Sequence, residues 1–443
     1  MAQPFTVLIM AAGHGTRMRS ATPKVLHPLA GKPMVHWVIE AAREAGATRM
    51  LCVTRPGGGV AEGLQEGVEV VEQVEGEGTG SAVLAARKQL AGDETVVVLS
   101  ADHPLVGSRL ISELLESHDD DSTAATILTT EELDPAGYGR IVRGTDGGVE
   151  RIVETKDTEG IAPELLAIRE VNLGTYAFAA SDLMNALEQV GVESGEVYLT
   201  GVFPLLAAGG KTVAAHVTDD TSSALGVNDR VALMEAERIV QRRLIESHAL
   251  AGVTFVAPAT IVVEAGVEIG EDSVIGPGVT LRAGTKIGSR CQVRHAYLEQ
   301  CEVHDGATVG PFAYLRPRTV VGEGAKVGTF VELKNADIGA GAKVPHLSYL
   351  GDADVGEDAN VAAGNITANY DGFEKHRTVI GKRAKTGVNN SFIAPVNIGD
   401  EAYTGAGSVI REDVPEGALG VTNGEQKNVE GYAERKAKEK GKS

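Results

Sequence analysis

Residues Val7 to Leu29 read VLIMAAGHGTRMRSATPKVLHPL. The apolar run Val7-Leu8-Ile9-Met10 suits a buried strand. It leads directly into Ala11-Ala12-Gly13-His14-Gly15-Thr16-Arg17. Small residues and glycines there let backbone N–H groups turn toward an anion. Arg17 and Lys24 add positive charge within reach of the same anion. The spacing is neither the dinucleotide G-x-G-x-x-G nor a Walker loop. A glycine pair alone would suit an ordinary strand-to-helix turn. The full run, with Arg17 and Pro23-Lys24 in place, points to a bound anion such as a phosphate.

Beyond this stretch, up to about Gly226, short apolar runs alternate with amphipathic segments. Val7–Met10, Met50–Val53, Val68–Val71, Val96–Leu99 and Ala124–Leu128 read as strands, and Met34 to Glu44 and Ser81 to Leu90 as helices. That alternation predicts an α/β domain with a mostly parallel sheet. Ligands in such sheets bind beyond the carboxyl ends of the strands. The fourth run ends in Ser100-Ala101-Asp102-His103-Pro104-Leu105. An aspartate there is placed to hold Mg²⁺ through oxygen, although an Asp near Pro104 equally suits a turn.

From Asp229 to Leu250 the residues read as one helix. Leu233, Ala236, Val240 and Leu244 share a face, Asp229 is a candidate cap, and Gly252 a candidate stop. This helix is expected to connect two domains.

After it the period changes to six. Ile269, Ile275, Leu281, Ile287 and Val293 open a series that resumes at Val303, Val309, Leu315, Val321, Val327 and Leu333. Ile338, Val344, Leu350, Val355 and Val361 continue it, and Ile398, Thr404 and Ile410 close it. Gly often follows the aliphatic residue, as in Ile269-Gly270 and Ile338-Gly339. No helix or hairpin keeps this period, but a coil of three short strands does, each aliphatic residue stacking on the one in the next coil. The breaks in the repeat carry the chemistry. They hold Arg316, Lys334, Pro345-His346-Leu347-Ser348-Tyr349, and the long excursion from Gly364 to Thr378.

Composition narrows the function classes. At 443 residues the chain exceeds one ordinary core. A net charge of -20 argues against nucleic acid or an anionic membrane surface as partner. No apolar run approaches the length of a membrane span. Cys52, Cys291 and Cys301 show no CxxC spacing, so a reduced, cytoplasmic chain is expected. The chain enters a strand almost at once, without a leader pattern. The lysine-rich end from Glu434 is expected to be a solvated, disordered basic tail.

The opening stretch resembles the sugar-1-phosphate nucleotidyltransferase signature A-A-G-x-G-T-R-M followed by P-K. Together with the repeats, the chain from Val7 to about Val429 resembles the bacterial family of bifunctional N-acetylglucosamine-1-phosphate uridyltransferases/glucosamine-1-phosphate acetyltransferases. The resemblance implies three parts. Residues 1–226 would form a Rossmann-like α/β uridylyltransferase domain, 227–250 a linker helix, and 251–443 a left-handed parallel β-helix of hexapeptide repeats. The handedness comes from the family, since the general expectation for parallel crossovers is right-handed.

In the first half the resemblance places UTP and the sugar nucleotide against Met10, Ala11, Ala12, Gly13 and Lys24. Gln73, Gly78 and Thr79 would take the uracil side, and Lys24 and Arg17 would stabilise the triphosphate during catalysis. Gly139, Glu154, Asn172 and Thr200 would hold the sugar, whose hydroxyls and amide are selected by such hydrogen bonds. Asp102 and Asn228 would be the magnesium ligands. The family usually has Gly where Ala101 stands, and E-Y-Y-x-T plus an acid where Glu196-Val197-Tyr198-Leu199-Thr200-Gly201 stands.

In the second half the resemblance makes His346 the base that deprotonates the sugar amine, a task suited to a neutral imidazole near neutral pH. Arg316, Lys334 and Lys375 would bind the substrate phosphate, with Tyr349 and Asn360 on the sugar. Acetyl-CoA would lie against Ala363, Asn369, Tyr370, Val388, Ala406 and Asn423. Val388 stands where serine is usual, and Asn423 where some members have arginine. Family members are trimers packed along their β-helices, so a homotrimer is implied. Two other readings stand at this point. One is a uridylyltransferase for another sugar 1-phosphate, carrying an acyltransferase half of different specificity. The other is a binding or regulatory protein that has lost turnover, for which Ala101, Val197, Gly201 and Val388 are the only support.

Overall fold

The structure is a computed structural model that describes residues 4–90, 92, 94–118, 122–155, 159–193, 195–422 and 424–440. The chain divides into two compact units, residues 1–242 and 243–443.

A nine-stranded sheet organises the first unit. Its main path runs Thr212–Val217, Thr123–Thr130, Val171–Ala179, Thr95–Ser100, Phe5–Met10, Arg49–Thr54 and Glu69–Glu72. Side-chain alternation explains the unbroken apolar runs. Leu8 packs into the core on one face, with Leu51, Val96 and Val98. Val7 and Ile9 pack into the other, with Cys52, Val97 and Leu99. A strand buried on both faces has no polar side to show. The helix Met34–Glu44 forms as expected and buries Met34, Val35, Val38 and Ile39. The second expected helix is shorter, Thr79–Ala85.

The expectation of a mostly parallel sheet needs correction. Phe5–Met10 pairs in parallel with Arg49–Thr54 and Thr95–Ser100. Val171–Ala179, however, enters antiparallel between Thr95–Ser100 and Thr123–Thr130. The hairpin Arg140–Arg143/Val149–Val153 joins it. Its core residues Tyr176 and Phe178 satisfy burial in either strand direction, so the hydrophobic pattern could not report polarity.

The connector helix runs Arg230–Leu250. Asp229 Oδ1 accepts from the backbone N–H groups of Val231 (3.0 Å) and Ala232 (2.9 Å), so the cap forms as read. Of the expected stripe, Ala236 and Val240 are buried, and Leu233 and Leu244 are half-buried. The helix spans the division between the units.

The second unit is a coil of short parallel strands, consistent with a left-handed parallel β-helix. Its registers stack the aliphatic residues in columns. Ile275 pairs with Val293, Val293 with Val309, Val309 with Val327, and Val327 with Val344. A second column holds Leu281, Leu298, Leu315, Leu333 and Leu350. These residues form one continuous core. The glycine after the aliphatic residue is set by coil spacing. A Cβ on Gly339 would lie 2.7 Å from Glu357 N, and one on Gly356 2.5 Å from Lys382 N.

The basic tail differs from expectation. Tyr432–Glu439 is a helix, exposed along its length and closed by a Lys436–Glu439 ion pair at 2.6 Å. Its Ala, Glu, Arg and Lys residues are strong helix formers, which outweighs their charge.

Candidate functional site

At the carboxyl end of Phe5–Met10, Ala11 N still bonds to Val53 O at 2.8 Å. Beyond it the N–H groups of Ala12, Gly13 and His14 meet no acceptor among the described residues. A run of free donors is an anion receptor. They border a cavity of about 240 Å³, whose wall includes Lys24 and Arg55. Gly15 has φ +61, and a Cβ there would lie 2.6 Å from Lys24 Cβ, so only glycine lets the lysine stem pass. Arg17 is exposed on the short helix after the loop and does not line this cavity.

Lys24 Nζ donates to Asp102 Oδ2 and, at 3.1 Å, to Asn228 Oδ1. Asp102 also accepts from Ser100 Oγ at 2.6 Å. Burial works to raise the Asp102 carboxyl. His103, the Lys24 ammonium and the Ser100 hydroxyl outweigh it and hold it below the usual carboxylate range. Two hard oxygens therefore converge where a cation already sits. That donor set fits a Mg²⁺ that keeps its remaining positions for phosphate oxygens and water. Among the described residues no cluster of three or more His, Cys, Asp or Glu forms a closed metal cage.

Of the residues expected to take uracil, Gln73 is buried and donates to Gly76 O at 2.9 Å. The turn Gly76–Gly80 is locked to the stretch after Glu196. Val197 N bonds Glu77 O (2.9 Å), Gly80 N bonds Val197 O (2.8 Å), and Thr79 Oγ1 accepts from Leu199 N (2.9 Å). A Cβ on Gly78 would lie 2.5 Å from Val197 O. Val197 thus holds this turn by its backbone, which any side chain permits. Gly201 packs on Val190, where a Cβ would come within 2.7 Å of a methyl.

The four expected sugar residues come together. A Cβ on Gly139 would lie 3.7 Å from both Asn172 Cβ and Glu154 Oε2. Thr200 Oγ1 donates to Glu154 Oε1 at 3.1 Å. Asn172 is held by Tyr176 Oη and Gly174 N, at 2.9 and 3.0 Å.

In the β-helix, backbone bonds at one corner link successive coils. Gly364 N bonds His346 O (3.2 Å), Asn389 N bonds Ala363 O (2.8 Å), and Gly407 N bonds Val388 O (2.8 Å). His346, Ala363, Val388 and Ala406 therefore form one column. The His346 side chain is exposed and makes no hydrogen bond or ion pair with the described residues.

The β-helix also carries a cationic cluster. Lys375 stands against Lys334, and that contact, then burial, lowers the Lys334 ammonium while Asp352 opposes the shift. Arg316 adds its charge and donates to Glu332 Oε1 at 2.9 Å. Tyr349 Oη lies over Gly351, near Asn369. Asn369 donates to Asp352, as does Asn335. Tyr370 is exposed, with its hydroxyl donating to Gly372 O at 2.6 Å. Asn360 is not joined to the cluster. Its backbone pairs in parallel with those of Lys343 and Lys385. Asn423 lies outside the described residues.

Arg55 is a cavity-wall cation that sequence reading passes over. Its only mark is a cation after the second strand's carboxyl end, in Thr54-Arg55-Pro56-Gly57.

Known proteins resemble this chain over nearly its whole length. The MobA-like NTP transferase domain family matches residues 7–196. The Bifunctional protein GlmU of Mycobacterium bovis is 44% identical over 459 residues, covering 97% of this chain and 92% of that protein. That of Streptomyces avermitilis is 43% identical over 461 residues, covering 98% and 95%. That of Mycobacterium tuberculosis is 44% identical over 459 residues, covering 97% and 92%. The likeness runs through the nucleotide loop and the β-helix alike, and on that extent the chain belongs to the bifunctional GlmU family.

Proposed function

We propose that the chain acetylates glucosamine 1-phosphate with acetyl-CoA and then joins the product to UTP, giving UDP-N-acetylglucosamine and pyrophosphate. The observation that carries this reading is two separate anion receptors on one chain. One is the free N–H run beside Lys24, and the other is the Arg316–Lys334–Lys375 cluster. Residues 1–226 and 251–443 carry the two activities, with helix 227–250 between them. The substrates are small molecules, neither nucleic acid nor membrane is a partner, and the working form is a cytoplasmic homotrimer. No described helix is long and apolar enough to cross a membrane.

In the acetyl step, Arg316, Lys334 and Lys375 bind the sugar phosphate, since three clustered cations are relieved by a dianion. Tyr349 and Asn360 orient the ring. His346 takes the amine proton, and its unengaged ring is free to do so. The amine forms a C–N bond to the acetyl carbon as the C–S bond breaks, and the thiolate leaves as CoA. The corner column of Ala363, Val388 and Ala406, with Asn369 and Tyr370, lines the donor.

In the uridylyl step, the phosphate of the acetylated sugar attacks the α-phosphorus in line, and pyrophosphate leaves. The loop after Met10 and Ala11 receives the phosphates by the N–H groups of Ala12 and Gly13, with Lys24 in the cavity wall and Arg17 on the short helix outside it as counter-charges. Gln73, Gly78 and Thr79 hold the base, and Gly139, Glu154, Asn172 and Thr200 the sugar. Asp102 and Asn228 would hold Mg²⁺, which when bound supplies neutralising charge to the triphosphate.

The test is one purified sample given glucosamine 1-phosphate, acetyl-CoA, UTP and Mg²⁺. Free CoA thiol and pyrophosphate should both appear, the second depending on acetyl-CoA. Pyrophosphate only when N-acetylglucosamine 1-phosphate is supplied would remove the acetyl step. Neither product would overturn the reading.

A further inference from the structure

Arg55 extends from the loop after Arg49–Thr54 to the nucleotide loop. Its Nε donates to Ala12 O at 2.6 Å, and its Nη2 donates to Glu77 Oε2 at 2.7 Å. Glu77 is part of the Gly76–Gly80 turn, and its own carbonyl accepts from Val197 N and Ser81 Oγ, each at 2.9 Å. One guanidinium thus ties the phosphate loop to the base-side turn.

The tie has a directional consequence. In a trans peptide the C=O and the following N–H point in opposite directions. Holding the Ala12 carbonyl on Arg55 therefore holds the Gly13 N–H on the far side. That N–H has no acceptor among the described residues, and nothing lies within 4 Å of where a Gly13 Cβ would be. Glycine offers little resistance to rotation of this peptide. Without Arg55, the carbonyl could turn to face the anion and repel it. Arg17, the arginine expected in the site, does not line the cavity and cannot do this work.

We infer that Arg55 is a positioning residue: it aims the Gly13 N–H at a phosphate of the incoming nucleoside triphosphate, and Glu77 fixes Arg55 for that task. The inference rests on the nucleotide-site reading above.

The test uses the full chain and compares UTP with uridine, which lacks phosphate. Arg55→Ala should weaken UTP binding and raise its KM about tenfold, the scale of one hydrogen bond to a charged group. Uridine binding and CoA release should stay at wild-type levels, which shows that both halves are folded. Arg55→Lys should recover only part of the loss, because an ammonium cannot make the planar two-acceptor contact. Glu77→Gln should shift UTP affinity in the same direction by a smaller factor. Wild-type UTP affinity in Arg55→Ala, an equal loss of UTP and uridine, or full recovery in Arg55→Lys would each overturn the positioning role. A wild-type chain that binds no UTP would instead overturn the nucleotide-site reading.

Discussion

Lys24 Nζ lies 3.1 Å from Asn228 Oδ1, across a sequence separation of 204 residues. The same ammonium also meets Asp102, so one cation closes the crevice between the nucleotide loop, the fourth strand run and the segment before the connector helix.

Removing Asn228 takes away one of the two side-chain oxygens that Lys24 Nζ brings together. Asn228→Ala should raise the Mg²⁺ concentration for half-maximal pyrophosphate release about tenfold or more. Chelation with EDTA should stop pyrophosphate release while CoA release continues. A magnesium titration with both products followed checks this, and an unchanged requirement would remove Asn228 from the metal site.

Lys334 binds fewer protons folded than unfolded, because Lys375 and burial depress its ammonium. Stability of the free protein should therefore rise with pH through the window below the ordinary lysine value. A sugar phosphate dianion reverses the bias, so binding of glucosamine 1-phosphate at a pH just below the ordinary lysine value should take up protons. Calorimetry in two buffers of different ionisation heat measures the uptake. Lys375→Ala should shrink it and weaken substrate binding; proton release would contradict the cluster's role.

The glycine corners of the β-helix are sterically closed. In Gly356→Ala the new Cβ would lie 2.5 Å from Lys382 N and 2.6 Å from Gly381 C. Neither neighbour is the movable end of a side chain, so the coil must shift at a cost of about 1–3 kcal/mol. Thermal unfolding should show this loss in the β-helix, with pyrophosphate release from added N-acetylglucosamine 1-phosphate unaffected.

All three thiols are buried, and burial pushes those of Cys52 and Cys301 up to about 12. A chromogenic disulfide reagent at pH ~8 should find no reactive cysteine in the folded chain, because attack needs thiolate. All three should react after denaturation. Rapid reaction in the native state would mean that one of these sites opens.

The sequence alone determined the first five strands of the nine-stranded sheet, the connector helix and the repeat, while the strands from Arg140 to Val217 went unread. The six-residue period, with glycine after the aliphatic residue, specified a stacked coil, and the observed registers from Ile275 to Val344 follow it. The loop after Met10 was legible because glycines, Arg17 and Lys24 stand within one short stretch. These are local matters, since side-chain alternation and backbone freedom repeat along the chain itself. Tertiary structure alone decided the rest. Strand direction at Val171–Ala179 was hidden because a strand buried on both faces reads the same either way. The column of His346, Ala363, Val388 and Ala406 follows from how the coils close around the excursion at 364–378, and its spacing is irregular along the chain. The meeting of Lys24 with Asn228, and of Arg55 with Ala12 and Glu77, depends on which loops the sheet brings to one edge. Such contacts join residues far apart in sequence, and nothing in the spacing of either partner records the other.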